Sequence, residues 1–522
     1  MGRTSALPVT RIWALAAAAP MFLPSASAAT SCEDLSKVSL PAATVTLAES
    51  VAAGAFTPPA NFTPGPGAPR NLNFSDLPAF CRVQVTLRPS SDSDIRMELW
   101  MPVTASWNGK FRANGNGGLG GGPIVNPGAL ANGLRLGYAT AGDNTGHETT
   151  DSSYALEHPE KIKDFGYRAA HEMTIAAKAL IKGYYGAGPK LSYMAEGGGG
   201  TIAALSAAQR YPTDYDSIAI TGMSSHVTRH PFAQLWIWEA THKDPAAYIP
   251  AGKFAVLHRA ALDACDAKDG LKDGIIGDPE HCKVDPSVTL CKGADSPDCL
   301  TAPQLEAAKK IYAGPHNPRT SQEIYSPMYP GSELGWGALA GGAAPGGIVM
   351  DFFKFFVFKD PSWDPKSHPV NYDGDLLLAE TPENAPLNAV DPNIGGFFSR
   401  GGKMLLIDGW NDNGVPPKVA IDYYRGVVAR VGAKKTRESM RFFMVPGMQH
   451  GPGTNGVQNF NFNALTILTD WKESGKVPDH LIVRHYKNGM EVGKRLVCQY
   501  PQVAFYKGSG DTEDPSSFTC KP

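Results

Sequence analysis

Three short stretches carry residues whose types can do acid–base chemistry. "KMLLIDGWND" runs from an apolar strand into a polar turn that ends on Asp412, and "MRFFMVPGMQHG" does the same for His450. A carboxylate holding one imidazole nitrogen fixes its tautomer and favours the charged ring, leaving the other nitrogen as a general base. The third stretch, "SYMAEGGGGTIAALSAAQRYP" (192–212), reads as a strand end, a sharp turn and a helix. In covalent hydrolases such a turn carries the nucleophilic serine. Here it carries Gly197, Gly198, Gly199 and Gly200, and no nucleophile.

Without a hydroxyl in the turn, the base would act on water or on the substrate itself. Water attack needs donors for the developing oxyanion. The backbone N–H groups of Gly199, after the turn, and Gly118, within "NGGLGGG", are the two sources that fit. Glu196, beside the glycines, is a further acid–base or nucleophile candidate, because burial among apolar neighbours raises a carboxylate's pKa. Its plainer reading is a solvated or salt-bridged glutamate. Elsewhere, "CDAKDGLKDGI" sets Asp266, Asp269 and Asp273 in one short loop, a spacing that can converge oxygen ligands on calcium. Trp236, Trp238, Phe352, Phe353, Phe355 and Phe356 can line a pocket for an aromatic acyl group, although at that spacing they more often form core.

The elements that must position these residues alternate between strand-like and helix-like segments. "CRVQVTLRP" and "DIRMELWMP" have the period of paired strands, and "YRAAHEMTIAAKALIKGYYG" is an amphipathic helix that stops at Gly186. The pattern lapses from about 226 to 393, then returns. A glycine turn, an Asp turn and a His turn, in that chain order, match α/β-hydrolases. The expected architecture is therefore an α/β-hydrolase core in two parts, 30–225 and 394–522, split by a lid insertion at 226–393.

With 522 residues, the chain is long enough for a main domain with a large insertion. Its net charge of -2 gives no reason to expect nucleic acid or an anionic membrane as partner. Arg3 and Arg11 precede an apolar run too short to span a bilayer, followed by "SASAA". Residues 1–29 are thus expected to be a cleaved signal peptide, making the protein secreted or periplasmic. All eight cysteines follow it, and local pairing gives Cys32–Cys81, Cys265–Cys282, Cys291–Cys299 and Cys498–Cys520. No CxxC spacing occurs, which argues against zinc.

Longer stretches resemble the tannase and feruloyl esterase family, which includes the hydrolase of mono-hydroxyethyl terephthalate. They include "WNGKFRANGNGG", "GYATAGDNTGH", "ALEHPEKIKDFGYRAAHEMT", "AAQRYPTDYDSI", "CDAKDGLKDGIIGDP", "GWNDNGVPP" and "FFMVPGMQH". The resemblance implies an α/β-hydrolase core, a calcium-holding lid, and a Ser-Asp-His triad with Asp412 and His450 as acid and base. It places the serine position on Gly198. In relatives a disulfide joins cysteines beside the serine and the histidine, and those positions are Gly197 and Gly451 here. It supports Gly118 as an oxyanion donor and adds the carbonyls of Leu271 and Ile275 to the calcium ligands. Glu196 stands where relatives usually have glycine, and Ser192, Thr201, Ser224 and Ser225 all lie off the apex.

The resulting expectation is an exported enzyme acting on an aromatic ester, lactone or related small carbonyl compound by serine-independent His–Asp general-base catalysis. A lyase or isomerase on the same scaffold, or an inactive periplasmic binding protein, are the alternatives.

Overall fold

The computed structural model describes residues 1–2, 29–59, 72–115, 118–119, 125–451, 459–487 and 489–522. The expected signal segment falls largely at 3–28, outside the described residues. The main sheet comprises β1 (Ala43–Val51), β2 (Phe80–Leu87), β3 (Ile95–Pro102), β4 (Lys110–Asn114), β5 (Ala139–Asp143), β6 (Leu191–Gly198), β7 (Ser217–Met223), β8 (Lys403–Gly409) and β9 (Met440–Val445). Among the described residues its order is β1-β2-β3-β5-β4-β6-β7-β8-β9. β1 to β3 are antiparallel, with Cys81 opposite Met101 and Val85 opposite Met97, as the alternating residues of those strands predict. From β5 across to β9 all pairs are parallel.

The central parallel strands β7 and β8 are buried almost throughout, and their sequences are correspondingly apolar along most of their length. Ile218, Ile220, Met404, Leu406 and Phe442 join one core cluster with Met173 and Leu180 of the helix Ala169–Tyr185 and Leu205 of the helix Thr201–Arg210. Their neighbours Ala219, Leu405, Ile407 and Phe443 join a second cluster with Leu468 and Trp471 of the helix Ala464–Ser474. Alternation with period two thus separates two helical layers about one sheet, the α/β-hydrolase architecture. The helix Ala169–Tyr185 ends at Gly186, whose φ of 75° is a left-handed cap.

Parallel pairing has a direct consequence for chemistry: the turns after β6, β8 and β9 all emerge at one edge of the sheet. Between β7 and β8 the described residues form helices and turns. The two ends of this segment meet in a bridge between His226 and Asn388, reinforced by Ala389 N–H donating to Ser225 O at 2.8 Å. All eight cysteines form the four expected disulfides. No helix of the described residues is long and apolar enough to cross a membrane.

Candidate active site

Asp412 and His450 meet across the turns that follow β8 and β9. Asn411 N–H donates to Met448 O at 2.9 Å, which ties one turn to the other. Asp412 is fully buried, and its Oδ1 accepts the N–H groups of Gly414 (2.7 Å) and Val415 (2.9 Å). Its other oxygen, Oδ2, lies 2.7 Å from His450 Nδ1. Both carboxylate oxygens are therefore satisfied, and the ring is fixed with Nε2 outward. The His450 side chain remains 35% exposed, so solvent can reach Nε2. The Asp412 carboxylate is the main force pushing the imidazole up to about 9, against the opposing effect of burial.

Asp408, four residues before Asp412, escaped the sequence reading although it lies inside "KMLLIDGWND". It accepts N–H groups from Met223 (3.3 Å) and Gly409 (2.8 Å). Burial, and then the nearby Asp412, push its carboxyl well above the usual range. His230 also joins the site from the helix His230–His242, with Nε2 2.6 Å from Gly414 O. Burial pushes it down to about 4, so it is a neutral ring bonded to the acid turn.

The glycine turn faces this pair. Gly198, the last residue of β6, has φ +55°, and a Cβ built on it would lie 3.0 Å from His450 Nε2. The next residue presses on the other glycine segment: a Cβ on Gly199 would stand 2.3 Å from the nitrogen and 2.2 Å from the oxygen of Gly118. Only glycine permits that approach, and it brings the peptide groups of Gly118 and Gly199 together beside Gly198. Thr201 does not compete for the imidazole. Its hydroxyl lies between the carbonyls of Gly198 (2.6 Å) and Ser224 (2.8 Å) and accepts Ser224 N–H at 2.9 Å. Among the described residues no hydroxyl or thiol hydrogen-bonds His450.

Glu196 is placed differently. Its carboxylate accepts Gly115 N–H at 2.7 Å, at the start of the segment that carries Gly118. Its charged neighbours are Arg112 and Asp143, whereas His450 responds to Asp412 and Asp408. Burial raises the Glu196 carboxyl to about 8. The structure brings it to the backbone of the glycine segment and not to the imidazole.

The expected calcium loop is braced by Cys265–Cys282. Asp266 accepts N–H groups from Asp273 (3.3 Å) and Gly274 (3.0 Å), and Asp269 accepts Leu271 N–H at 3.1 Å. Asp273 accepts Ile275 N–H at 3.1 Å and pairs with Arg495 at 2.7 Å. Burial, and then the neighbouring Asp273 and Asp266, raise Asp269 to about 7. Three carboxylates crowded in this way suit a hard cation in donor type. As arranged, however, no group of three or more His, Cys, Asp or Glu side chains among the described residues is assembled around a metal position.

Most of the expected lid aromatics are core. Trp238, Phe352, Phe353, Phe355 and Phe356 are buried, Phe352 and Phe353 completely. The insertion instead approaches the glycine segment through Ile348, whose Cδ1 would lie 3.6 Å from a Cβ on Gly118 and which is exposed. Periodicity could not separate such a residue from its core neighbours.

The family model for tannase and feruloyl esterase matches residues 81–521. An uncharacterized esterase of Xanthomonas campestris pv. campestris is 38% identical, covering 97% of this chain and 93% of that protein. Feruloyl esterase B of Aspergillus niger is 30% identical, covering 84% and 86%. The solved structure of feruloyl esterase B from Aspergillus oryzae superposes with a TM-score of 0.83 at 25% identity, covering 94% of this chain and 99% of that one. Tannin acyl hydrolase from Aspergillus niger shares the fold, with a TM-score of 0.71 at 19% identity and 92% coverage of each chain.

Proposed function

Since the chain belongs to the tannase and feruloyl esterase family, we propose that it is an exported carboxylic ester hydrolase in which His450 activates water directly. One observation carries the proposal: the residue whose Cβ would stand 3.0 Å from His450 Nε2 is a glycine. In the proposed reaction Nε2 takes a proton from water as the water oxygen bonds to the ester carbonyl carbon. The carbonyl π electrons move to oxygen, where the Gly199 and Gly118 N–H groups stabilise the charge. Collapse breaks the bond to the alkoxide, the imidazolium returns its proton to it, and acid and alcohol leave. Asp412 stays ionised throughout and holds the ring.

Glu196 serves in this scheme as a positioning residue, tying the glycine segment to β6 through Gly115. An aromatic acyl group is the proposed substrate feature, on the strength of the feruloyl esterases among the relatives. Export is supported by four disulfides, which persist in oxidising compartments.

The test is a single turnover of an aromatic ester by excess enzyme in heavy-oxygen water, followed by intact mass spectrometry. The expected result is one heavy oxygen in the acid product, no acyl-protein adduct, and no labelling by a serine-directed phosphonate. An adduct on any serine, or heavy oxygen transferred into the Glu196 carboxyl, overturns the direct-water route.

Calcium is proposed at Asp266, Asp269 and Asp273 with the carbonyls of Leu271 and Ile275. Bound there, the ion would neutralise the three carboxylates and stiffen the loop, without entering the reaction. A ligand present at a hundred times its Kd stabilises the folded state by about 2.7 kcal/mol. Chelation is therefore expected to lower Tm by several degrees, with recovery on adding calcium, and Asp269→Asn should abolish the response. An unchanged Tm together with metal-free protein by elemental analysis rejects the site.

A further inference from the structure

The chain as a whole is almost neutral, yet cations gather at the sheet edge opposite His450. Lys403 opens β8 and Arg441 lies at the start of β9. Lys434 and Arg437 come from the helix Ala433–Ser439, and Lys472 from the helix Ala464–Ser474. Together they line a depression of about 660 Å³, with Glu438 as the one carboxylate residue in its wall and Trp471 at its base. The strands β8 and β9 lead from here to the catalytic turns. Seven residues of β8 separate the two places by roughly 20 Å.

These cations are poorly neutralised. Lys403 Nζ donates to the carbonyl of Glu438 at 2.6 Å, and Lys472 Nζ to that of Gly401 at 2.8 Å, so both meet dipoles and not carboxylates. Arg441 is 9% exposed and reaches Asp479 only at 3.6 Å. Its Nε is buried without a hydrogen-bond partner, although its Nη1 donates to the carbonyls of Arg437 and Met440. Lys403 and Arg441 both pack on Trp471, at 5.2 and 5.3 Å from its ring. Four further cations around this nearly buried guanidinium leave positive charge that an anion can satisfy. The lowered pKa of Lys403, from burial and then from Lys472, Lys435 and Arg441, agrees with that crowding.

We propose that this depression binds a compact multivalent oxyanion, of the oligophosphate or tricarboxylate class, at a site separate from the ester-hydrolysing one. Several cations drawn from four elements surround a volume too large for one monovalent ion. Closely spaced anionic groups on one small molecule can engage the Arg441 guanidinium and the rim lysines at once. Such a ligand would also hold β8, β9 and the two helices together.

Isothermal titration and thermal shift with pyrophosphate and with citrate, each against chloride at equal ionic strength, test the site. Lys434→Ala/Arg437→Ala is the matching variant, because both side chains are exposed and make no hydrogen bond among the described residues. The expected result is saturable binding and a raised Tm for at least one anion, with affinity at least tenfold weaker in the variant. Preference for pyrophosphate assigns the phosphate source, and preference for citrate the carboxylate source. Responses no greater than chloride, or equal affinity in the variant, overturn the proposal. Because both readouts are binding, the result is independent of the hydrolytic reading.

Discussion

Replacing His450 with Ala is expected to lower kcat/KM for an aromatic ester by about a thousandfold or more, the scale on which a positioned general base acts. The pH profile gives the sharper readout. A base must be neutral to accept a proton, and the Asp412 carboxylate stabilises the imidazolium, pushing His450 up to about 9. Wild-type kcat/KM should therefore climb with pH across the range between an ordinary histidine's value and about 9. In Asp412→Asn the attraction for the proton disappears while burial, which favours the neutral ring, remains. The rising limb should move toward acid. The plateau should fall by two to four orders of magnitude, roughly as in other enzymes that lose the carboxylate behind the base. Asp408 sharpens the expectation: it also raises the imidazole, but far less than Asp412 does, so Asp408→Asn should shift the limb far less. A limb that stays in place in Asp412→Asn would mean that some group other than His450 titrates.

Most of the site's frame was legible because its causes are local. Largely apolar strands, each ending in a polar turn and alternating with helices, fit parallel strands buried on both faces. Their turns must then share one edge, which agrees with the pairing of Asp412 in "GWND" and His450 in "PGMQHG" that the family resemblance implies. Three of the four disulfides join cysteines 8 to 22 residues apart, where a loop closes readily. What escaped depends on contacts between distant segments. Asp408 and Asp412 have similar local surroundings, and only the packing of β7 against β8 buries the first behind the second. Beside the glycine turn, Glu196 fits an acid–base carboxylate and a salt-bridged glutamate equally in the sequence. Its partner is the N–H of Gly115, 81 residues earlier in the chain, and no periodicity marks that meeting. The lid aromatics leave two readings open for a related reason. Ring-rich runs with helical spacing serve a pocket and a core equally well, and burial decides between them.

The glycine at the apex makes a stronger claim than any of these, and it can be tested by putting the hydroxyl back. In Gly198→Ser the new Cβ meets Nε2 at 3.0 Å, and φ stays at +55°. The left-handed backbone costs an L-residue about 1–2 kcal/mol. The imidazole must also yield by a few tenths of an ångström, which its exposed edge allows. The serine oxygen would then lie within reach of the base, beside the Gly199 and Gly118 N–H groups proposed to hold the carbonyl oxygen. Gly198→Ser is expected to become stoichiometrically labelled by a fluorophosphonate, and the wild type is expected to stay unlabelled. Gly198→Ala is the control with the same backbone cost. Its methyl group crowds the position from which water would give up its proton, so it should lose at least tenfold in kcat/KM and remain unlabelled. If the wild type is labelled too, another nucleophile serves His450. If neither variant changes activity, attack does not take place beside residue 198.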